Sequence, residues 1–182
     1  MDKKISAASN YIVSFNTIAL VPFWNENNLY TRVIENHIEF IVRMKPGAII
    51  KKSLIFYGNS YKHATFFSRE SIGPLHKVPL IISHDFGVPL IMMPTLSAES
   101  DGNIWVSFSA IDSYSINSHN QCLVHFTNSQ ILPVNVSYTT MCRQFVLSHF
   151  LTNQFQKTRD QMNHPFSQSK LTYLPTQTNP IR

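Results

Sequence analysis

Residues 121–136, QCLVHFTNSQILPVNV, followed by residues 137–157, SYTTMCRQFVLSHFLTNQFQK, decide the fold class. Gln121–Thr127 and Gln130–Val136 are short runs rich in Val, Leu, Ile and Phe, and Asn128-Ser129 between them is a two-residue hairpin signal. Pro133 has no N–H to give to a ladder, so the second run belongs at a sheet edge. The period then changes. Tyr138–Lys157 contains no Gly or Pro, and Met141, Phe145, Ser148, Thr152 and Phe155 fall on one helical stripe, widened by Val146, Phe150 and Leu151. Ser137 is the expected N-cap, and Lys157 and Arg159 suit the negative end of the helix dipole.

Outward from this stretch, the remaining patterns are mostly those of strands. Tyr11–Phe23 reads as one strand ended by Pro22 and the polar Asn25–Asn28 turn. Leu29–Ile34 and Ile38–Met44 alternate around Glu35-Asn36-His37 as a hairpin. Ala48–Tyr57 reads as a strand or a short helix, its pattern interrupted by Lys51-Lys52-Ser53. His63–Arg69 and Val78–Ile82 look extended and are split by Gly73-Pro74. Asp85-Phe86-Gly87 is a turn before the apolar strand Pro89–Met93, and Ile104–Phe108 and Ala110–Ile116 look extended. The expected class is α+β, a mainly antiparallel β-sheet with one long C-terminal helix. Residues 1–160 form one domain in this reading. Residues 161–182, polar and punctuated by prolines, form a partly ordered tail.

Composition bounds the function. The chain has 182 residues, 43% apolar and only 14% charged, enough for a core and unlike a coiled coil or a disordered segment. No apolar run approaches the ~20 residues that cross a bilayer, and Met1–Ser6 has no secretory pattern, which points to a cytoplasmic protein. The net charge of +5 is unevenly placed. Residues 32–77 carry eight basic and three acidic groups, residues 78–142 carry no Lys or Arg and four acids, and residues 143–182 carry five basic groups and one acid. Segregated cations suit a polyanion, because each neutralised phosphate releases condensed counterions. Lys45, Lys51, Lys52, Lys62, Arg69, Lys77 and Arg143 are therefore the candidate DNA contacts.

Other chemistry finds little support. Cys122, His125, Cys142 and His149 make a metal set on paper only, since residues three apart on a strand point to opposite faces. Asp85-Phe86-Gly87 lacks every companion motif of a kinase, and there is no Walker loop, nucleophile elbow or carboxylate pair. The expectation is no enzyme, no metal and no cofactor. A helix-turn-helix needs two adjacent helices, which this reading does not supply, so contacts to DNA are expected from sheet or loops. A β surface with cations and exposed apolar wedges suits the minor groove of A·T-rich sequence. Phe56, Tyr57, Phe66, Phe67 and Trp105 are expected in the core.

Several segments appear in an order that belongs to a known family: Met44-Lys45-Pro46, Phe56-Tyr57-Gly58-Asn59-Ser60-Tyr61, Pro79-Leu80-Ile81-Ile82, Pro94-Thr95-Leu96-Ser97 and Asn103-Ile104-Trp105-Val106-Ser107. Val124-His125-Phe126-Thr127-Asn128 and Val136-Ser137-Tyr138 continue the series. Over roughly residues 10–160 the chain resembles the competence transcription factor ComK family of Gram-positive bacteria. The resemblance implies a cytoplasmic, nucleoid-associated activator of DNA-uptake genes. Members read A-rich and T-rich boxes of double-stranded DNA largely through the minor groove, as dimers that pair into higher oligomers. It also implies RNA polymerase as a partner and turnover by a Clp protease through the adaptor MecA. The adaptor segment nearest to the family pattern is Leu171-Thr172-Tyr173-Leu174-Pro175, with Leu171, Tyr173, Leu174 and Pro175 as its contacts. The alternative is a protein-interaction module that titrates this adaptor without activating transcription.

Overall fold

The computed structural model describes residues 7–163. A seven-stranded sheet runs through the middle of the molecule in the order β1-β4-β3-β2-β7-β6-β5. Its strands are β1 (Ala7–Ala8), β2 (Thr17–Asn25), β3 (Asn28–Glu35), β4 (Glu39–Val42), β5 (Leu80–Asp85), β6 (Val88–Pro94) and β7 (Trp105–Ser107). All neighbours are antiparallel except β1 and β4. A second sheet, β8 (Ile111–Ile116), β9 (Cys122–Phe126) and β10 (Ile131–Val134), is an antiparallel meander. Three helices complete the fold: α1 (Pro46–Phe56), α2 (Tyr61–Ile72) and α3 (Tyr138–Asn163). The class is α+β, as expected.

Period-2 alternation distributes the large sheet's side chains between two cores. Leu20, Val33, Met92 and Trp105 point to one face, where they pack with Ile49, Ile50 and Leu54 of α1 and Ala64 of α2. Ile34, Met93, Ile104 and Val106 point to the other, where they meet Val124, Phe126 and Leu132 of the small sheet and Met141 of α3. β6 is covered from both sides, which explains its nearly continuous apolar sequence.

The hairpins form where the turn chemistry predicted them. Phe86 and Gly87 both have positive φ, 44° and 80°, so the β5–β6 turn has the twist that matches its strands. Between β9 and β10 only Ser129 is left-handed, at 68°, and Ser129 N–H donates to Phe126 O at 2.9 Å, so the loop is Thr127-Asn128-Ser129, one residue longer than the two-residue turn expected. Thr140 N–H donates to Ser137 Oγ at 3.3 Å, and α3 starts at the expected cap.

Four elements differ from expectation or decide between its alternatives. Of the strand and short-helix readings of Ala48–Tyr57 the helix holds, as α1, Pro46–Phe56, with Pro46 at its first position. His63–Arg69 is not extended but lies inside α2, started by Ser60, whose side chain accepts from His63 N–H at 3.2 Å. α1 buries Ile49, Ile50 and Leu54 together with Ser53, whereas α2 buries the small Ala64 and Ser68. Ser53 Oγ accepts from Val13 N–H at 2.9 Å and donates to Ile49 O, fixing α1 to the segment before β2. Ser68 Oγ donates to Pro79 O at 2.6 Å, fixing α2 to the approach to β5. Third, the strand read over Tyr11–Phe23 begins only at Thr17. Fourth, α3 runs to Asn163, and Val146 and Phe150 face outward; its buried face is Met141, Gln144, Ser148 and Leu151.

Candidate nucleic-acid interface

The face of α1 opposite Ile49, Ile50, Ser53 and Leu54 carries Lys51, Lys52, Ile55 and Phe56, all exposed. The face of α2 opposite Ala64 and Ser68 carries Lys62, Phe66 and Arg69 at i, i+4 and i+7. The two helices are joined by Tyr57–Ser60, where Gly58 takes a φ of 78° that a side chain would strain. Two adjacent helices joined by a short turn therefore exist here, and the premise that excluded such a pair fails. The cations also sit elsewhere than expected: five of the seven candidates are on helices and none is on a strand.

Between α1, α2 and the loop 95–103 lies an open groove of about 620 Å³. Lys51, Lys62, Arg69 and Lys77 line it against one carboxylate, Glu99. Its floor is apolar, with Val78, Pro94, Leu96 and Trp105. A second depression of about 280 Å³ shares His76 and Lys77 with the groove and adds Arg143 and Gln144 of α3. A third, also about 280 Å³, shares Lys51, Ala98 and Glu99 and adds Lys45 and Asp101. Six of the seven candidate cations thus line one continuous path, with Lys45 at one end and Arg143 at the other. Lys52, exposed on α1, lines none of the three.

Local bonds hold the path in shape. The loop wall is braced by buried groups: Leu96 N–H donates to Asn103 Oδ1 and Ile104 N–H to Thr95 Oγ1, both at 3.0 Å. Lys77 Nζ donates to Thr95 O at 3.0 Å, and Arg69 Nε to Leu75 O at 3.2 Å. Gln144 Nε2 reaches Lys77 O at 3.4 Å, tying α3 to the groove. Lys51 Nζ stands 5.5 Å from the centre of the Tyr61 ring. Burial raises the Tyr61 phenol above its ordinary range, so it stays a neutral donor in the groove wall. Lys45 is the one groove cation with a carboxylate partner among the described residues, Asp101 at 3.0 Å.

The aromatic residues also part from expectation. Trp105 is buried, but Phe56 and Phe66 are about two-thirds exposed, and Tyr57 is 39% exposed. An extended reading of 63–69 hides Phe66. Placed on a helix, Phe66 lies opposite Ala64 and Ser68, and that inverted pattern was its available signal. His76 and Glu99 were missed as well; their approach to α2 is set by loops.

Cys122 is buried and burial raises its thiol, while Cys142 is half-buried; neither is in a disulfide. Among the described residues no three metal-ligating side chains come together, and no helix is long and apolar enough to cross a membrane. Leu171, Tyr173, Leu174 and Pro175 lie outside the described residues.

Comparison with known proteins follows the same region. The model of the family described as ComK protein matches residues 8–160, in agreement with the resemblance read over 10–160. A competence transcription factor of Bacillus subtilis (strain 168) is 27% identical over 165 residues, spanning 90% of this chain and 83% of that relative. No solved structure matches the chain.

Proposed function

Because this chain belongs to the ComK protein family, we propose that it is a non-enzymatic transcription activator of DNA-uptake genes that grips duplex DNA through the groove between α1, α2 and the 95–103 loop. The carrying observation is the path itself. Lys51, Lys62, Arg69, Lys77 and Arg143 converge on it from three helices and a loop, and none of them forms an ion pair among the described residues. Long cationic side chains on short, braced helices can follow a phosphate backbone without rearranging the core. The reading includes A·T-rich boxes and the minor groove, whose width and deformability carry sequence information where base-edge patterns are degenerate. Self-association, RNA polymerase and the MecA–Clp system are further partners of this reading, the last through Leu171–Pro175.

A gel-shift titration on A·T-box and scrambled duplexes at two ionic strengths tests it. Five phosphate contacts give a slope of log K against log salt of about −4.5. A ligand of the minor groove should displace the protein, and N6-methylation of adenine, which projects into the major groove, should change little. Equal binding to both duplexes removes the A·T reading. Failure to shift either duplex removes the DNA-binding function and favours the interaction module.

A further inference from the structure

We propose that Phe66 is a wedge residue that enters the minor groove between base pairs and opens it. This inference rests on the DNA-binding reading above and goes beyond it, by assigning one side chain a deforming role.

An α-helix with its side chains is about 10–12 Å across, whereas the minor groove is about 6 Å wide. A helix carrying the cations therefore cannot enter that groove in regular B-form DNA; only single side chains can, unless the groove is opened. Proteins that do open it insert apolar side chains between base steps and unstack them, bending the duplex toward the major groove. On α2, Lys62, Phe66 and Arg69 share one outward stripe. Lys62 and Arg69 are seven residues apart, about 10 Å along the axis, enough to reach both banks of the groove. Phe66 stands between them, 63% exposed, where it points at whatever lies between the two phosphate rows.

Exposure alone would choose differently. Phe86, at the β5–β6 turn, is 97% exposed, and Phe56, at the end of α1, is 67% exposed. Phe86 stands at a hairpin tip on the far end of β5 and β6, and Phe56 packs edge-on against Tyr57, 5.1 Å between centroids. Neither lines the cationic groove. Glu70, the carboxylate of α2, does not line it either. Phe66 is the exposed phenyl that lines the cationic groove, between Lys62 and Arg69, which suits a polyanion whose interior is stacked and apolar. A TA step within or beside an A·T-rich box lowers the cost, since that step is easily kinked while A-tracts are stiff.

The test uses the full chain and two duplex probes bearing an A·T box. One is a circularly permuted set that reads bending by gel mobility; the other carries 2-aminopurine, whose emission rises on unstacking. The wild type should bend the duplex and brighten the probe. Phe66→Ala should bind about 10-fold more weakly, with the bend and the brightening lost and its melting temperature kept. Phe66→Leu should retain both, and Phe86→Ala and Phe56→Ala should behave as wild type. Bending that persists in Phe66→Ala, or that is lost in Phe86→Ala or Phe56→Ala instead, overturns the assignment. Wild-type binding without bending removes the wedge and leaves the groove standing; no binding at all removes both.

Discussion

The two faces of the seven-stranded sheet are built alike and covered differently. Along β2, β3, β6 and β7, neighbouring residues alternate between two cores, and both cores are apolar. One is roofed by α1 and α2, which put Lys51, Lys52, Lys62 and Arg69 into solvent. The other is roofed largely by β8–β10, residues 111–134, which contain no Lys or Arg and one acid, Asp112. Because each roof is a contiguous stretch of chain, the segregation of charge along the sequence becomes segregation across the molecule. Apolar burial therefore holds both roofs in place, and the difference in their outer surfaces is free to serve recognition.

The largest effect should come from the floor of the groove. Trp105 is buried in the helix-side core, and Trp105→Ala should cost about 3–5 kcal/mol, read as a lowered midpoint in chemical denaturation. Val124→Ala in the opposite core removes less volume and should cost about 2 kcal/mol. If the two faces form one cooperative unit, circular dichroism and hydrogen exchange on β8–β10 should report the same transition in both variants. A Trp105→Ala protein that loses the helical face while β8–β10 stays protected would split the molecule into two stability units.

Next comes the charge itself. Replacing Lys51, Lys62 and Arg69 together by Ala should lower duplex affinity about 100-fold and flatten the salt slope by about 2.7. Adding Asp112→Lys and Ser113→Lys to that variant restores the net charge, but on the three-stranded sheet, where both positions are exposed. Affinity should stay low. Recovery would mean that overall charge, not the helical roof, governs binding.

What could be read in advance divides along the same line. The small sheet and its helix were legible because their signals are local: Asn128-Ser129 for the turn, Ser137 for the cap, and a long run without Gly or Pro for α3. The helical roof was not. α2 buries Ala64 and Ser68 and exposes Phe66, so its apolar periodicity points the wrong way and suggests a strand, while in α1 Lys51-Lys52-Ser53 interrupts the buried Ile49, Ile50 and Leu54 and leaves strand and helix both open. Their serines are satisfied by backbone groups distant in sequence, Val13 N–H and Pro79 O, which no local window contains. The candidate cations were visible as a charge block. Their convergence was not, because the groove is closed by the 95–103 loop and by Arg143, contributed from an otherwise acidic stretch and from the last helix.

The smallest expected effect lies where the two charge regimes touch. Lys45 at the start of α1 pairs with Asp101 of the acidic stretch at 3.0 Å, with side chains 58% and 49% exposed. A pair this open contributes little to folding, so Asp101→Asn should change stability by less than about 0.5 kcal/mol. Its effect on binding has the opposite sign from that of every groove substitution above. The carboxylate sits at the end of the path, neutralises Lys45 and repels phosphate; removing it frees a sixth cation. Duplex affinity should rise about 3-fold at low salt and the slope should steepen by about 0.9, with the gain fading as salt screens the site. Lys45→Ala in the wild type should then matter less than Lys62→Ala, since its charge is already spoken for. Weaker binding by Asp101→Asn would instead make the ion pair a brace for the loop wall, and would move the boundary of the cationic face from Asp101 inward to Lys51.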